Sequence, residues 1–198
     1  MRQHGENKVS IHNYFALLFI VTCLESALMF LEYDLYNDSG KRMMPLVAFC
    51  VFFTAFREML ANVICLLIAL GYGIVMNVLN RYSGKIGLLS FLFFIACSIN
   101  TAAFYINQHK PLSKGMKVMM ALPQFVLQIV FLMWIVSALL RTLTYLKVKR
   151  QEFKLSVMKQ FTLVFSIGVV IYTFVRASKM IFEVSNHDAD AWQNEHKF

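Results

Sequence analysis

The sequence predicts an all-α protein, a polytopic transmembrane helix bundle, and two observations predict it. Hydrophobic residues make up 59% of the 198 residues and charged residues only 15%, whereas soluble domains carry roughly 45–50% apolar and about 25% charged residues. The apolar residues stand in runs of about 20 that do not alternate with polar ones, which favours membrane-spanning helices over barrel strands. Such a chain has too little polar surface to fold in water.

Five apolar runs are long enough to cross a bilayer. We predict spans at about residues 11–33, 45–79, 86–106, 118–140 and 161–182, after a polar segment, 1–10, and before an acidic tail, 183–198. The second run is longer than a hydrocarbon core of about 30 Å requires at 1.5 Å per residue, and it has no turn signal before Gly71. We therefore predict one long helix that projects above the bilayer and holds Arg57 and Glu58 near the boundary.

The basic residues predict the orientation, because Lys and Arg collect on the cytoplasmic side of membrane proteins. With a cytoplasmic N-terminus, ten of the 19 basic residues face inward and six face outward. The acidic tail is then on the opposite side of the membrane. The net charge of +8 has the same explanation, so we do not predict nucleic-acid binding.

The link between the fourth and fifth spans is the most basic segment. It has no Gly or Pro, so we predict that helix continues out of the membrane there and lies along the lipid surface. Its charges predict a contact with anionic lipid, at ~1 kcal/mol per basic residue near the surface; control of topology is the alternative, and both can hold. The candidate lipid-contact residues are Lys147, Lys149, Arg150 and Lys154.

Ionisable and polar residues in the spans are candidates for a cavity or for ion pairs. They are Glu25, Glu32, Arg57, Glu58, Tyr172, Arg176 and Lys179. An ionisable side chain costs ~2.5–3.5 kcal/mol at the centre of a membrane helix, so it needs a partner or water. Glu25 and Glu32 share a helix face, and we predict that Glu25 pairs with Arg57 or Arg176 at similar depth. In the predicted orientation the whole set lies in the outer half. These residues either line one polar cavity or form structural ion pairs, and the sequence leaves both alternatives open.

Small residues late in the second span, Ala69, Gly71 and Gly73, predict close helix packing, because small side chains let membrane helices approach each other. A hinge at the same residues is the alternative. Glycines and alanines at this spacing occur with either role.

Patterns typical of catalysis, metal binding or cofactor binding are not present in the sequence. The five histidines are scattered, and there is no metalloprotease pair, nucleophile elbow or phosphate-binding loop. The four cysteines lie in apolar runs without metal-ligand spacing, so we predict small buried hydrophobes. We therefore predict a protein that is not an enzyme and has no cofactor and no metal.

Three stretches resemble one family. The first span contains Cys23-Leu24-Glu25-Ser26-Ala27; the second contains Phe56-Arg57 and then Leu70-Gly71-Tyr72-Gly73-Ile74-Val75; the basic link contains Leu146-Lys147-Val148-Lys149-Arg150. In this order they resemble the lung seven-transmembrane receptor family, also described as GOLD-domain seven-helix proteins, and within it the transmembrane protein 87 branch. The resemblance covers about residues 11–192 and corresponds to family helices two to six. The chain thus resembles a partial seven-helix core, and we expect a fragment that is poorly stable by itself.

The resemblance implies a multi-pass Golgi or endosomal membrane protein that supports membrane traffic, especially retrograde transport to the Golgi. It implies a cytoplasmic N-terminus, a lumenal C-terminus, and as partners membrane lipids and trafficking proteins on the cytoplasmic loops. The alternative is a cation channel or transporter, or a lipid or ligand receptor, with a lumen-facing polar cavity. A continuous polar path from Glu25 to the cytoplasmic face would favour conduction. Closure at mid-membrane by Phe, Leu and Ile would favour a pocket or a structural role.

Overall fold

The computed structural model describes residues 3–72, 83–107 and 114–195. Five helices occupy these ranges: α1 Gln3–Ser39, α2 Met44–Ala69, α3 Ser83–Asn107, α4 Lys114–Val148 and α5 Glu152–Glu195. Each contains a stretch that is long and apolar enough to cross a membrane. The chain is a helical transmembrane bundle, as the composition predicts.

Four of the helices are longer than the predicted spans. The polar N-terminal segment is already helical from Gln3, and α5 continues through most of the predicted acidic tail to Glu195. The fifth span was predicted to begin at residue 161, but the apolar stretch of α5 begins at Glu152. Helical hydrogen bonding does not stop at the edge of an apolar run, since each backbone N–H keeps its acceptor within the same helix.

The prediction of one long helix over 45–79 is wrong, because α2 ends at Ala69. Gly71 adopts the left-handed conformation with φ of 72°. Its N–H donates to the Ile68 carbonyl and the N–H of Tyr72 donates to the Leu67 carbonyl, at 2.8 and 3.0 Å. This pair of bonds is the Schellman motif that ends helices at a glycine. Arg57 is therefore the fourteenth of 26 residues, at mid-helix and not near a boundary; residues 73–79 lie outside the described ranges.

Most of the basic link is helical, as predicted, because α4 runs to Val148 and α5 begins at Glu152. The prediction of one continuous helix there is wrong, because residues 149–151 form a tight turn. Arg150 has φ of 52°, and the same two-bond motif ends α4: the Arg150 N–H donates to Lys147 and the Gln151 N–H donates to Leu146. Sequence alone favours continued helix here, since the motif normally uses Gly and this segment has none. The chain turns within three residues, and α5 begins at Glu152.

The chain divides into two compact units, Met1–Thr142 and Leu143–Phe198. In the first, α2 packs against both α1 and α3, and α4 joins them through the contacts described below. Large apolar side chains such as Phe19 and Phe30 are exposed, as expected of surfaces that lipid covers. Of the cysteines that were predicted to be buried, Cys50 and Cys97 are buried and Cys65 is half-buried, but Cys23 is exposed, on a helix face turned away from the protein core.

Candidate functional site

An ion pair joins α1 to α2 in the middle of both helices. The Arg57 Nε atom contacts the Glu25 Oε2 atom. Both residues stand about four turns from the short connection between the helices, so an antiparallel pair of helices brings them to the same depth. The Glu25 side chain is only 7% exposed and that of Arg57 is 35% exposed. This is one of the two pairings that the depth argument predicted.

A second ion pair closes the end of the bundle near that connection. Arg42 Nε lies 3.3 Å from Glu32 Oε1, and both side chains are almost fully buried. The Arg42 guanidinium also lies over the ring of Tyr36 on α1 and the ring of Tyr105 on α3, at 5.0 and 5.3 Å from their centroids. A cation over an aromatic face is attracted by the ring quadrupole. Arg42 therefore holds the ends of α1 and α3 together from the segment between α1 and α2.

A polar network joins α2, α3 and α4 on a neighbouring face of α2. Gln124 Nε2 donates to Glu58 Oε2 at 2.9 Å, and the Cys97 thiol donates to the same oxygen at 3.3 Å. Asn100 Nδ2 donates to Gln124 Oε1 at 2.5 Å. Gln124 is 5% exposed. Three helices thus share hydrogen bonds around one carboxylate.

A reciprocal amide pair extends this network by one turn. Asn62 Nδ2 donates to Gln128 Oε1 at 3.1 Å, and Gln128 Nε2 donates back to Asn62 Oδ1 at 3.2 Å. Asn62 follows Glu58 by four residues, as Gln128 follows Gln124, so each helix contributes a polar stripe on one face. We call Glu58, Asn62, Cys97, Asn100, Gln124 and Gln128 the polar network.

An apolar layer follows the polar network along the same helix faces. It consists of Leu66 on α2, Phe93 on α3, and Phe131 and Ile135 on α4, all of them buried. The Phe93 and Phe131 rings meet edge to face, with centroids 5.5 Å apart, an arrangement that aromatic pairs prefer. Along the bundle axis of the first unit, the polar network therefore gives way to this apolar layer, and beyond the layer Ser90 and Thr142 are again buried polar residues.

The chain matches a known family of membrane proteins along its whole length. The family model described as the GOST seven-transmembrane domain matches residues 1–198. The chain belongs to the GOST family. The resemblance inferred from the three stretches is confirmed at this level.

Similar GOST proteins are multi-pass membrane proteins of very different organisms. The chain is 25% identical to mouse Transmembrane protein 87B over 91% of its length and 23% identical to Transmembrane protein 87A of Xenopus tropicalis over 94%. It is 26% identical over 80% of its length to Membrane protein PTM1 of Saccharomyces cerevisiae strain YJM789. The chain spans about a third of the length of these relatives, with 32%, 34% and 31% of each covered.

The predicted candidates of the first unit, Glu25, Glu32, Arg57 and Glu58, do not line one cavity in this GOST protein. Consecutive residues point about 100° apart around a helix, so Arg57 faces α1 while Glu58 faces α3 and α4. Glu25 and Glu32 lie with Arg57 and Arg42, and Glu58 lies apart in the polar network. Tyr172 belongs to the second unit and is exposed. The side chains of Arg176 and Lys179 lie outside the described residues.

The small residues at the end of α2 include one close contact with α4. The Thr142 hydroxyl donates to the Ala69 carbonyl at 2.8 Å, and both Ala69 and Gly71 are buried. A hydroxyl reaches a backbone carbonyl across two helices only where the helices approach closely, which fits the packing interpretation. Gly73 lies outside the described residues.

Sequence reasoning missed the residues that join the helices of the first unit. Arg42 was counted only as a loop charge, and the four amides Asn62, Asn100, Gln124 and Gln128 were not considered. The signal was present in the sequence: Gln124 and Gln128 stand four residues apart in an apolar run, as Glu58 and Asn62 do in another, and buried amides require hydrogen-bond partners. Within the described residues, no group of three His, Cys, Asp or Glu side chains could hold a metal ion.

Proposed function

We propose that this chain acts in a non-enzymatic Golgi and endosomal multi-pass membrane protein that supports membrane traffic, especially retrograde transport to the Golgi. The proposed compartment and process rest on the family resemblance. We further propose that the bundle of α1 to α4 serves as a scaffold that presents loops to membrane lipids and trafficking partners, and not as an ion pathway.

The apolar layer is the observation that carries the scaffold proposal. An ion needs polar groups or water along its whole path, since a bare charge in an apolar environment is strongly disfavoured. Beyond the Asn62–Gln128 pair, on the side away from Glu58 and Gln124, α3 and α4 meet through Phe93 and Phe131, which are fully buried. The polar network therefore ends in apolar contacts, and its hydrogen bonds hold three helices in register.

The role in traffic is tested in cells of the source organism. The endogenous protein carrying a fluorescent tag is expected to coincide with Golgi and endosomal markers. Its depletion should slow the return of a reporter that cycles from endosomes to the Golgi, and re-expression should restore the rate. Signal confined to the plasma membrane or mitochondria, or unchanged reporter kinetics, would contradict the proposal.

The alternative function is a cation channel or transporter, or a lipid or ligand receptor, and the polar network is the observation that favours it. Reconstitution in vesicles with a potassium gradient separates scaffold from channel. We expect the wild-type chain to give no more flux than empty vesicles. Flux that is lost in Glu58→Gln but kept in Phe91→Ala, an exposed position of α3, would favour conduction.

A further inference from the structure

The hairpin between α4 and α5 contains a cavity of about 230 Å³ within the second unit. Leu143, Thr144, Lys147, Leu155 and Lys159 line it. Leu143 and Lys147 are four residues apart on α4, and Leu155 and Lys159 are four apart on α5, so each helix supplies one leucine and one lysine from a single face. The cavity is therefore lined by two leucines, two lysines and Thr144, and both lysines are exposed.

The two lysines carry charge that the described part of the protein does not balance. Among the described side chains, neither Lys147 nor Lys159 has a carboxylate within ion-pair distance. Lys159 is the eighth residue of α5, about 10 Å from its start at 1.5 Å per residue. It lies inside the stretch Glu152–Tyr172, which is apolar enough to cross a membrane. An ammonium group at that position is stabilised by an anion that its long side chain can reach near the membrane surface.

The turn that forms the hairpin keeps these groups close together. Lys149 to Gln151 reverse the chain direction, and Arg150 adopts a left-handed conformation with φ of 52°, which residues with a Cβ atom avoid. Backbone in such a conformation persists only where the surrounding structure holds it. The exposed side chains of Lys149 and Arg150 add positive charge beside the cavity, which attracts anions over a longer range.

We propose that this cavity binds the phosphate-bearing headgroup of an anionic phospholipid, with the Lys147 and Lys159 ammonium groups on the phosphate oxygens. Two lysines that line one cavity fit a headgroup that carries more than one negative charge, as a phosphorylated inositol does. Leu143 and Leu155 would lie against the apolar part of the same lipid. These leucines, together with the position in a membrane-spanning stretch, favour a lipid over a free phosphate. The proposal does not depend on the role in membrane traffic.

Lipid binding to the purified full chain in detergent, measured by native mass spectrometry, tests the site. The probes are phosphatidylinositol monophosphate, phosphatidylcholine and soluble inositol phosphate. The double variant Lys147→Gln/Lys159→Gln should bind phosphatidylinositol monophosphate roughly 25-fold more weakly, since each basic group contributes ~1 kcal/mol and tenfold corresponds to ~1.4 kcal/mol. The charge-matched control Lys85→Gln/Arg141→Gln, outside the cavity, should change binding by less than about threefold.

Two further variants keep the test decisive if the double Gln variant does not fold. Lys147→Arg/Lys159→Arg keeps both charges and should retain binding, whereas Leu155→Phe keeps every charge but fills the cavity and should weaken binding. Equal losses in the double Gln variant and its control would reduce the effect to general surface charge and overturn the proposal. It would also be overturned if Leu155→Phe bound normally, if phosphatidylcholine bound equally well, or if soluble inositol phosphate bound as tightly as the lipid.

Discussion

An ion pair between two single charges joins the first two helices of this protein. Glu25 and Arg57 each lie at the middle of a helix that is apolar enough to cross a membrane, where an unpaired charge is costly. Each carries the charge that the other needs at the same depth. Their pairing explains why two ionisable residues persist in two apolar runs without requiring a cavity or a catalytic role.

A double-mutant cycle should detect the coupling between Glu25 and Arg57. Glu25→Gln and Arg57→Gln each leave a charge without its partner, and each should lower the free energy of unfolding by ~3 kcal/mol, the lower end of the range for buried pairs, because Arg57 is one-third exposed. The double variant should lose less than the two singles together. Unfolding in detergent by increasing sodium dodecyl sulfate measures all four proteins, and purely additive losses would refute the coupling.

Gly71 and Arg150 occupy equivalent left-handed positions after two helix ends, and substitutions at these two residues should change the free energy of unfolding in opposite directions. Gly71 and Arg150 both occupy the residue after a helix end with φ of 72° and 52°, a conformation that costs a residue with a Cβ atom roughly 1–2 kcal/mol. Gly71→Ala should therefore lower the free energy of unfolding by ~1 kcal/mol, and Arg150→Gly should raise it by a similar amount. Arg150→Ala, which removes the charge but keeps the strain, is the control and should not stabilise. A gain in Arg150→Ala equal to that in Arg150→Gly would assign the effect to charge.

At the scale of helices, α2 is the element that the others pack against. One face carries Arg57 toward α1, and a neighbouring face carries Glu58 and Asn62 toward α3 and α4. In lipid there is little hydrophobic force between helices, so association depends on close packing and on hydrogen bonds between helices. The polar network supplies these bonds in one half of the bundle, and the Thr142–Ala69 contact supplies one at the end of α2.

The reciprocal amide pair predicts a measurable coupling between α2 and α4. Asn62→Leu or Gln128→Leu alone leaves the opposite amide without its partner, and each should cost about 0.6–1.7 kcal/mol, the range found for membrane helices. The double variant Asn62→Leu/Gln128→Leu should cost less than the two singles together, since no amide is left unpaired. Thr22→Val is the control, because the Thr22 hydroxyl, within the part of the chain that the structure describes, donates to the Leu18 carbonyl of its own helix. The same unfolding measurement applies. The expectation would be contradicted if each single variant lost no more free energy of unfolding than Thr22→Val does.

For the whole molecule, the charge distribution predicts the orientation in the membrane. Ten basic residues against six favour a cytoplasmic N-terminus, and the hairpin that contains Lys149 then faces the cytoplasm. Lys149→Cys should react with a membrane-impermeant maleimide only from the cytoplasmic side of sealed vesicles, and Lys41→Cys only from the other side. The wild-type chain measures the background from its four cysteines. Labelling of Lys149→Cys from the lumenal side would reverse the predicted orientation.

The sequence by itself determined the fold class and the existence of five helices, because composition and the length of apolar runs depend only on what the bilayer demands of each segment. The family followed from the resemblance of three stretches. The sequence also limited the partners of Glu25, since depth along a helix can be counted in residues. The end of α2 was missed although Gly71 was noticed. The turn at Arg150 was missed because a residue with a Cβ atom rarely adopts the left-handed conformation that Arg150 has there.

Only the tertiary structure decided which helix each polar face meets. Periodicity placed Arg57 and Glu58 on adjacent positions of α2, but the rotation of α2 against its neighbours assigned one to α1 and the other to α3 and α4. The pairing of Arg42 with Glu32 and the two rings was likewise decided by how the ends of three helices converge. A sequence records the order of side chains along each helix, whereas the partner across an interface depends on how two separate helices pack, and that is a property of the whole bundle.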